Sequence, residues 1–339
     1  MKIETDFPLK NLNTFQIEAS AARYVRFDTQ GEIAHYLAGR SLDKNRHLVL
    51  GMGSNLLFAA DFDGTILHPV LTGIEVLEKT DEHVLVRAKA GENWDDLVAF
   101  AVAQGLGGIE NLSLIPGSVG ASVVQNIGAY GIEVRDSVAR IETIKISNGH
   151  KTTISPKDCG FDYRYSHFKG KWNGRYIITA VVFKLLRKPV FMTEYPGVKA
   201  ALADIGSLTL KTLRAAIIAL RQSRLPDPAV LGNAGSFFKN PIVDASVLKH
   251  MLRKFSDMPH YPQGNNHHKL AAGWLIDQCG WKGKKVGRAA VHERQALVLV
   301  NTGGASGREI FDLSEKIRRS VFSRFAIQLD REVIVVGLR

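Results

Sequence analysis

Cysteine is scarce in this sequence, and its two copies lie far apart. The chain of 339 residues contains only Cys159 and Cys279, and no CxxC spacing occurs. A disulfide framework or a thiolate zinc site needs more cysteines at closer spacing, so the sequence argues against both. Because this scarcity is typical of a reducing compartment, we expect a cytoplasmic protein.

Long hydrophobic runs are absent as well. The longest ones, residues 97–103 and 215–220, fall far below the roughly 18 apolar residues that a membrane-spanning helix needs. The first ten residues carry charges where a signal peptide would have its apolar stretch. We therefore expect neither an export segment nor a membrane partner.

Acidic residues are outnumbered by basic ones. The chain has 44 Lys and Arg against 33 Asp and Glu, which gives a formal net charge of +11. Such an excess suits the phosphate backbone of a nucleic acid, and it suits phosphate-bearing small molecules equally well. The basic residues are scattered and do not interleave with aromatic residues as in RNA-binding motifs. We expect no nucleic acid, and a basic nucleic-acid-binding protein is the alternative from a different class.

Helix and strand signals alternate along the whole chain. Residues 84–88 alternate between apolar and polar as in a strand, whereas residues 94–102 carry an apolar stripe at helical spacing that Gly105 ends. Residues 332–336 are apolar enough for an interior strand. The helix that reaches Ser223 cannot continue through the Leu-Pro-Asp-Pro sequence that follows, so a domain boundary is expected there. These patterns predict a mixed α+β fold in at least two domains.

Two glycine-rich segments are candidates for binding a phosphate-bearing ligand. Residues 51–55 follow a predicted strand but lack the third glycine and the helix of a dinucleotide fingerprint. Their backbone amides, with the Ser54 hydroxyl and the Asn55 amide, could approach a phosphate closely, and a structural turn is the alternative. Residues 115–131 combine glycines with uncharged donors in a long irregular stretch. We interpret this stretch as the wrap of a flat polyanionic ligand rather than as a loop between domains.

Ser236 lies between small residues and a phenylalanine pair in the segment 232–241. No Gly-x-Ser-x-Gly elbow surrounds this serine, so its hydroxyl could donate a proton rather than attack a substrate. A polar residue at the start of a strand is the alternative reading.

Three histidines, His260, His267 and His268, crowd one predicted loop. Their spacing fits neither HExxH nor a zinc finger, and residues 259–276 contain no glutamate or aspartate. We therefore predict a solvated loop and no metal.

Together, these segments resemble the UDP-N-acetylenolpyruvoylglucosamine reductases, flavoenzymes of bacterial cell-wall precursor synthesis, and in particular their type I members. Each block is moderately specific, and the ordered set over essentially the whole chain is very specific. The blocks are residues 12–15, 51–55, 115–131, the pair Tyr163 and Arg164, and residues 225–228, 232–241, 271–279, 289–292, 295–298 and 332–333.

The resemblance implies a three-domain α+β fold. Residues 1–67 and 68–222 would form a two-part FAD-binding region of the vanillyl-alcohol-oxidase (PCMH) type, onto which the tail 326–339 folds back. Residues 223–325 would form an α+β substrate-binding domain. FAD as cofactor, NADPH as reductant and a monomeric state are also implied. The implied FAD contacts are Gly51, Gly53, Ser54, Asn55, Pro116, Gly117, Ser118, Gly120, Gln125, Asn126, Gly128, Tyr130 and Gly131.

The implied activity is reduction of the enolpyruvyl group of UDP-N-acetylglucosamine enolpyruvate to UDP-N-acetylmuramate. Arg164, in the Tyr-Arg motif, would bind the substrate carboxylate where negative charge develops. Glu332 would polarise the same group, and Ser236 would donate the proton that completes the reaction. The alternative within the enzyme class is a related FAD-linked oxidoreductase with another substrate.

The resemblance also implies substrate contacts and some departures from the family pattern. Arg224 stands where lysine is usual, Ser118 replaces threonine, Val123 replaces proline, and Tyr165 replaces an acidic residue. None of these changes removes a catalytic group. The implied substrate contacts are Tyr195, Arg224, Asn240 and Gln295.

Overall fold

Each of the two structural units of this protein is built from three pieces of the chain. The computed structural model describes residues 1–40, 42–43, 46–203, 205–264 and 266–338. The first unit comprises Met1–Phe7, Ala21–Gly53 and Asp63–Ser223, and the second comprises Pro8–Ser20, Ser54–Phe62 and Arg224–Arg339. The expected division into three domains is a different partition of the chain and stays a prediction.

Strands and helices alternate along the described residues. The strands are β1 (Lys2–Pro8), β2 (Ser20–Phe27), β3 (His47–Val49), β4 (Leu56–Phe58), β5 (Phe62–Pro69), β6 (Ile74–Lys79), β7 (His83–Lys89), β8 (Gly128–Ala129), β9 (Ile132–Glu133), β10 (Val138–Lys145), β11 (Lys151–Ile154), β12 (Tyr176–Leu186), β13 (Asn233–Ser236), β14 (Ile242–Asp244), β15 (His260–Pro262), β16 (His267–Leu270), β17 (Lys285–Val286), β18 (Ala289–Val291), β19 (Val298–Asn301) and β20 (Ile334–Val336). The helices are α1 (Gln30–Leu37), α2 (Trp94–Ala103), α3 (Val119–Val124), α4 (Pro196–Ala201), α5 (Leu210–Arg224), α6 (Ala245–Lys254), α7 (Ala272–Gln278) and α8 (Gly307–Phe325).

The first unit contains two larger sheets. One has the strand order β1-β2-β5-β3, and the other has the order β11-β10-β12-β7-β6. In β7 the side chains of Val84, Val86 and Ala88 are buried between more exposed neighbours, which confirms the predicted strand. The central strand β12 is buried along most of its length, as expected for a strand with neighbours on both sides.

Helix α2 covers the region that the apolar stripe predicts. The side chain of Asn93 caps its first turn by accepting hydrogen bonds from the amides of Asp95 and Asp96. Gly105 follows the helix with a φ of 71°, a conformation that glycine adopts without steric cost. The helix thereby places Asp95, in its first turn, where its carboxylate accepts a hydrogen bond from the amide of Leu114.

The second unit is organised around the sheet β13-β19-β18-β17 and helix α8. Ser306 and Glu309 form a reciprocal capping box at the start of α8. The helix then buries an apolar face against the core, which also contains Phe237 and Phe238 from the segment after β13. Strand β20 pairs in parallel with β4, so the C-terminal segment returns to a strand from the first fifth of the chain.

The C-terminal segment changes its strand partner close to Glu332. The prediction of an interior strand over residues 332–336 is wrong in two respects. The strand β20 begins only at Ile334, and it is half-buried in a sheet of two strands, where it pairs with β4. The amide of Glu332 donates to the carbonyl of Phe237 at 2.9 Å, whereas the amide of Ile334 donates to the carbonyl of Asn55 at 3.1 Å. A strand that exchanges one partner for another cannot keep regular pairing through the exchange, which leaves Glu332 in irregular backbone.

Candidate active site

The structure distributes the candidate residues over both units. The expectation of an irregular stretch over residues 115–131 is wrong, because this stretch contains α3 and most of a hairpin. Pro116, Gly117 and Ser118 directly precede α3, Gly120 lies in its first turn, and Gln125 ends it. Gly128, Tyr130 and Gly131 lie in a hairpin formed by β8 and β9. The first unit holds Gly51, Gly53, Pro116, Gly117, Ser118, Gly120, Gln125, Asn126, Gly128, Tyr130, Gly131, Arg164 and Tyr195, and the second holds Ser54, Asn55, Arg224, Ser236, Asn240, Gln295 and Glu332.

The two glycine-rich segments meet inside the first unit. A Cβ atom on Gly51 would lie 2.7 Å from the hydroxyl oxygen of Ser118 and 3.5 Å from the Cβ of Ala121. The loop after β3 therefore packs against the start of α3, and glycine at position 51 allows this close approach. Gly53 continues the loop with a φ of 64°.

The start of α3 uses part of its backbone for structure. The amides of Val119 and Gly120 donate to the carbonyls of Glu92 and Ala90, at 2.9 and 2.8 Å. A Cβ on Gly120 would lie 2.7 Å from the Cβ of Ala90, so this contact requires glycine. Since these two amides are already bonded, phosphate binding by this segment would rely on other donors, such as the hydroxyl of Ser118.

A tight hairpin carries three of the candidate residues. Gly128–Ala129 pairs with Ile132–Glu133, and the connecting residues Tyr130 and Gly131 have φ values of 49° and 88°. Two consecutive positive φ angles are typical of a type I′ turn, which matches the twist of a hairpin. The guanidinium of Arg164 donates to the carbonyl of Gly128, where an added Cβ would lie only 2.9 Å from the Arg164 Nη1 atom. Glycine at 128 thus leaves room for Arg164.

Arg164 itself lies at the tip of a two-residue turn. Asp162 and Tyr165 exchange two backbone hydrogen bonds of 3.0 Å around it. Arg164 has a φ of 53°, a left-handed conformation that costs a non-glycine residue about 1 kcal/mol or more. Its guanidinium lies over the ring of Tyr163, with 5.3 Å between the guanidinium carbon and the ring centroid. Strained backbone of this kind concentrates at functional sites.

Asn126 joins the hairpin to the turn of Arg164. Its side-chain amide is fully buried and donates to the Glu133 carboxylate at 2.9 Å and to the Asp162 carbonyl at 3.0 Å. Its side-chain oxygen accepts from the amide of Arg135 at 3.2 Å. Both amide hydrogens of Asn126 are therefore committed within the protein, and its side-chain oxygen can still accept a second hydrogen bond. Its predicted cofactor role stays a prediction.

Arg221 is a charged residue of this region that the sequence reasoning missed. Its Nε donates to the carbonyl of Leu114 at 3.2 Å, and the hydroxyl of Tyr130 lies near enough to favour its charged form. Burial lowers the pKa of Arg221, and the nearby charge of Arg164 acts in the same direction. A signal was available, because Arg221 lies four residues after the buried Ile217 and therefore on the inward face of α5.

Asp95 fixes the loop that Arg221 contacts. Its carboxylate accepts two hydrogen bonds from Arg214, at 2.7 and 2.8 Å, and another from the amide of Leu114. Burial by itself would raise the pKa of Asp95, but the bonds from Arg214 and Leu114 outweigh it and hold that pKa below its ordinary value. The ion pair is therefore a rigid support under Leu114 and Arg221. The ring of Tyr195 packs edge-on against the ring of Tyr130, with 5.4 Å between the two ring centroids.

In the second unit, Ser236 and Glu332 come from adjacent backbone segments. The amide of Glu332 bonds the residue directly after Ser236, and Phe238 forms an isolated antiparallel bridge with Arg331. The side chain of Asn55 donates to the carbonyl of Glu332 at 3.2 Å. Asn55, predicted as a cofactor contact, therefore also supports the main chain of Glu332.

Two of the candidate substrate contacts converge on the start of α7. The side-chain oxygen of Asn240 accepts from the amide of Ala272 at 3.0 Å. A Cβ on Gly273 would lie 3.1 Å from the side-chain oxygen of Gln295, so this amide lies close to the same helix start. Arg224 is exposed at the end of α5.

Comparison with known proteins decides the family. Residues 21–155 match the family model described as FAD binding domain, and residues 227–336 match that of the UDP-N-acetylenolpyruvoylglucosamine reductase C-terminal domain. The chain is 44% identical to the UDP-N-acetylenolpyruvoylglucosamine reductase of Bacteroides fragilis over 98% of this chain and 99% of that protein. The chain belongs to the UDP-N-acetylenolpyruvoylglucosamine reductase family. The predicted resemblance is therefore confirmed.

Further members of the family and a solved structure agree with this assignment. The reductase of Chromobacterium violaceum is 44% identical, over 99% of each chain, and that of Neisseria gonorrhoeae is 45% identical over 94% of this chain and 93% of that protein. The crystal structure of UDP-N-acetylenolpyruvylglucosamine reductase (MurB) from Thermus caldophilus matches with a TM-score of 0.68 at 22% identity, over 99% of this chain and 100% of that one. The predicted α+β fold of this reductase family is confirmed.

The remaining sequence predictions concern metals and membranes. The predicted loop is wrong, because His260 lies on β15 and both His267 and His268 lie on its partner strand β16. His267 also lies 3.1 Å from the carboxylate of Asp244. Within the described ranges, no group of three or more histidine, cysteine, aspartate or glutamate side chains is placed to hold a metal ion. In the same ranges, none of the helices has both the length and the apolar character that crossing a bilayer requires.

Proposed function

We propose that this reductase family member catalyses the NADPH-dependent reduction of UDP-N-acetylenolpyruvoylglucosamine to UDP-N-acetylmuramate, a step of peptidoglycan precursor synthesis. Full-length similarity to curated reductases at 44% identity supports the activity. The observation that carries the assignment of residues is the hydrogen bond that joins the main chain of Glu332 to the residue after Ser236. Two of the three proposed catalytic groups thus belong to one small element of structure.

The residues of the first unit fit FAD as the bound cofactor. The loop of Gly51 and Gly53 packs against the start of α3, and the hydroxyl of Ser118 lies at this contact. The guanidinium groups of Arg164 and Arg221 supply positive charge in the same unit. A cofactor with a diphosphate and an electron-accepting ring suits such donors and cations. When bound, the flavin supplies the hydride chemistry between NADPH and the substrate.

Arg164 is proposed to bind the carboxylate of the enolpyruvyl group. Hydride addition to the terminal alkene carbon leaves negative charge on the carbon that bears this carboxylate, and the charge spreads onto its oxygens. A guanidinium stays protonated and offers a planar fork of donors, so it stabilises that charge more as the charge grows. The bond from Arg164 to the Gly128 carbonyl fixes the orientation of the guanidinium before substrate arrives.

Glu332 and Ser236 are proposed to complete the reaction. Glu332 is assigned to polarise the same enolpyruvyl carboxylate while charge develops on it. The hydroxyl of Ser236 then donates the proton that converts the carbanion into the saturated product. The half-buried position of Ser236 limits competing proton transfer from bulk water.

The remaining contacts are proposed for the UDP-sugar. Tyr195 and the guanidinium of Arg224 are assigned to the diphosphate, and Asn240 and Gln295 are assigned to polar groups of the substrate. Both amides lie at the start of α7, where their side-chain oxygens are held in place by local contacts. We also place the enzyme in the cytoplasm, since its two isolated cysteines, NADPH and a UDP-sugar all belong in a reducing, nucleotide-rich compartment.

The colour of the purified protein tests the proposal. Protein with bound FAD should be yellow, should bleach under anaerobic conditions when NADPH is added, and should regain its colour on addition of UDP-N-acetylenolpyruvoylglucosamine. A colourless preparation that FAD does not reconstitute would contradict the cofactor assignment. Recovery of colour with dioxygen but not with the UDP-sugar would favour the rival FAD-linked oxidoreductase instead.

A further inference from the structure

The segment that carries Glu332 is tied to helix α8 by two arginines. Arg318, on the helix, donates from its Nε to the carbonyl of Leu329 at 2.8 Å. Arg331, on the segment, donates from its Nε to the hydroxyl of Ser314 at 3.0 Å and forms an ion pair with Glu315. Glu315 also pairs with Arg318 at 2.7 Å. The carboxylate of Glu315 therefore pairs directly with Arg331 of the segment and also with Arg318, which bonds the carbonyl of Leu329.

This network lies at a sheltered position. The side chains of Arg331, Arg318 and Glu315 are only 19%, 24% and 26% exposed. The Arg331 guanidinium also lies over the ring of Phe311, with its central carbon 4.5 Å from the ring centroid. Ion pairs in such surroundings are less screened than surface pairs, and loss of one partner leaves the other charge poorly solvated.

The charges of Arg331 and Glu315 affect each other's pKa. Burial lowers the pKa of Arg331, whereas the carboxylate of Glu315 acts to raise it. Burial acts to raise the pKa of Glu315, but the hydrogen bond from Arg318 and the charges of both arginines together hold it below its ordinary value. Each of the two groups therefore favours the charged form of the other.

On the other side of the segment, regular pairing is sparse. Phe238 and Arg331 form a single isolated bridge, flanked by the bonds from Lys239 to Asp330 and from Glu332 to Phe237, both 2.9 Å. Only a few backbone bonds therefore set the register between this segment and the residues after Ser236. A side-chain anchor at Arg331 adds a constraint directly next to Glu332 that these bonds do not provide.

We propose that Arg331 is a positioning residue for Glu332. Through its ion pair with Glu315 and its contact with Phe311, it holds residues 330–332 in register with residues 237–239, and so sets where the Glu332 carboxyl lies relative to Ser236. The proposal rests on the function proposed above, because it assigns Arg331 a part in the step that uses the enolpyruvyl substrate.

The test compares Arg331→Met with a matched control, Arg308→Met. Arg308 lies on α8, two helical turns before Glu315 and therefore on the same face of that helix. It pairs with Asp312 at 3.0 Å, and its guanidinium carbon lies 5.7 Å from the centroid of the same Phe311 ring. Its ion pair joins two residues of α8 rather than α8 and the Glu332 segment. Both variants are studied as holoenzymes, with rapid-mixing measurement of flavin reduction by NADPH and of flavin reoxidation by UDP-N-acetylenolpyruvoylglucosamine.

For Arg331→Met we expect reoxidation at saturating substrate to slow by about tenfold, because small displacements of a catalytic group are costly, while reduction by NADPH stays within about twofold. Arg331→Lys, which keeps the charge opposite Glu315, should recover most of the loss, and Arg308→Met should match the wild type. If Arg331→Met does not fold, Glu315→Gln and Arg331→Lys provide the same comparison, with Glu315→Gln the slower in reoxidation.

Two results would overturn the proposal. Equal slowing of both half-reactions, or a lower melting temperature with unchanged reoxidation, would make Arg331 a structural anchor only. Failure of the wild-type reduced enzyme to be reoxidised by the UDP-sugar would instead overturn the proposed function, and the role of Arg331 with it. The two failures are distinguishable because the second appears in the wild type.

Discussion

Glu332 and Phe237 share a main-chain hydrogen bond of 2.9 Å, and Phe237 directly follows Ser236. The two proposed catalytic residues of the second unit are 96 positions apart in the sequence (332 − 236) and still come from neighbouring backbone. The side-chain amide of Asn55 also donates a hydrogen bond to the carbonyl of Glu332. The element is small, so substitutions within it can be tested for their effect on one half-reaction at a time.

Replacing Ser236 with alanine should separate the two half-reactions. Without the hydroxyl, reduction of the flavin by NADPH is expected to stay nearly intact, and reoxidation by UDP-N-acetylenolpyruvoylglucosamine should fall by about 10²–10⁴-fold, the usual range for a general acid. Rapid-mixing spectroscopy measures both rates. Ser223→Ala, at an exposed serine, is the control. Equal losses in the two half-reactions would argue against a proton-donating role.

Gly128→Ala should displace Arg164. The new Cβ would lie 2.9 Å from the Arg164 Nη1 atom and 3.0 Å from the Ile132 carbonyl oxygen, so the guanidinium must give way. We expect the KM for the UDP-sugar to rise and reoxidation to slow by about tenfold, since a fixed guanidinium fork is lost. Gly206→Ala is the control, because an added Cβ there meets open space. Wild-type kinetics for Gly128→Ala would show that the position of the Arg164 guanidinium does not depend on glycine at 128.

Arg221→Met should destabilise the first unit. The partly buried carbonyl of Leu114 would lose a charged donor, at a cost of about 1–3 kcal/mol in the free energy of unfolding. Chemical denaturation of the protein without added cofactor measures this change. Lys211→Met, at an exposed cation on the same helix, should change it by less than about 0.5 kcal/mol. If the two variants were equally stable, the contacts of Arg221 would be energetically unimportant.

His68 should make stability depend on pH. Burial lowers the pKa of His68 to about 4, and its Nδ1 atom lies 2.8 Å from the hydroxyl of Tyr24. Because His68 binds a proton more readily in the unfolded chain, its neutral form contributes fully to the free energy of unfolding above pH 6.5. This contribution is lost as the pH falls towards 4, by about 3 kcal/mol.

Urea denaturation of the wild type and of His68→Gln between pH 7.5 and 4.5 measures that contribution. Other titrating groups cancel in the difference, so the wild type should lose more stability than the variant over this range. His150→Gln, at an exposed histidine, serves as the control and should follow the wild-type profile. Parallel curves for all three proteins would show that His68 does not couple to folding.

Local patterns predicted elements that depend on short-range chemistry. The helix over residues 94–102, its end at Gly105 and the strand over residues 84–88 are all present, because periodicity and glycine conformations act within a few residues. The strand predicted over residues 332–336 was wrong at its start. Its apolar composition gave no sign that the chain exchanges one strand partner for another next to Glu332.

The sequence by itself determined the family, the α+β fold class and the candidate catalytic residues, because the order of motifs and the spacing of apolar residues are visible in the linear sequence. Only the tertiary structure decided that the side-chain amide of Asn126 bonds Glu133 and Asp162, that Arg221 lies near Tyr130, and that Asn55 supports a residue 277 positions away. Hydrogen bonds act over about 3 Å in a fixed direction. Which groups come that close depends on how helices and sheets pack, and sequence spacing does not contain that information.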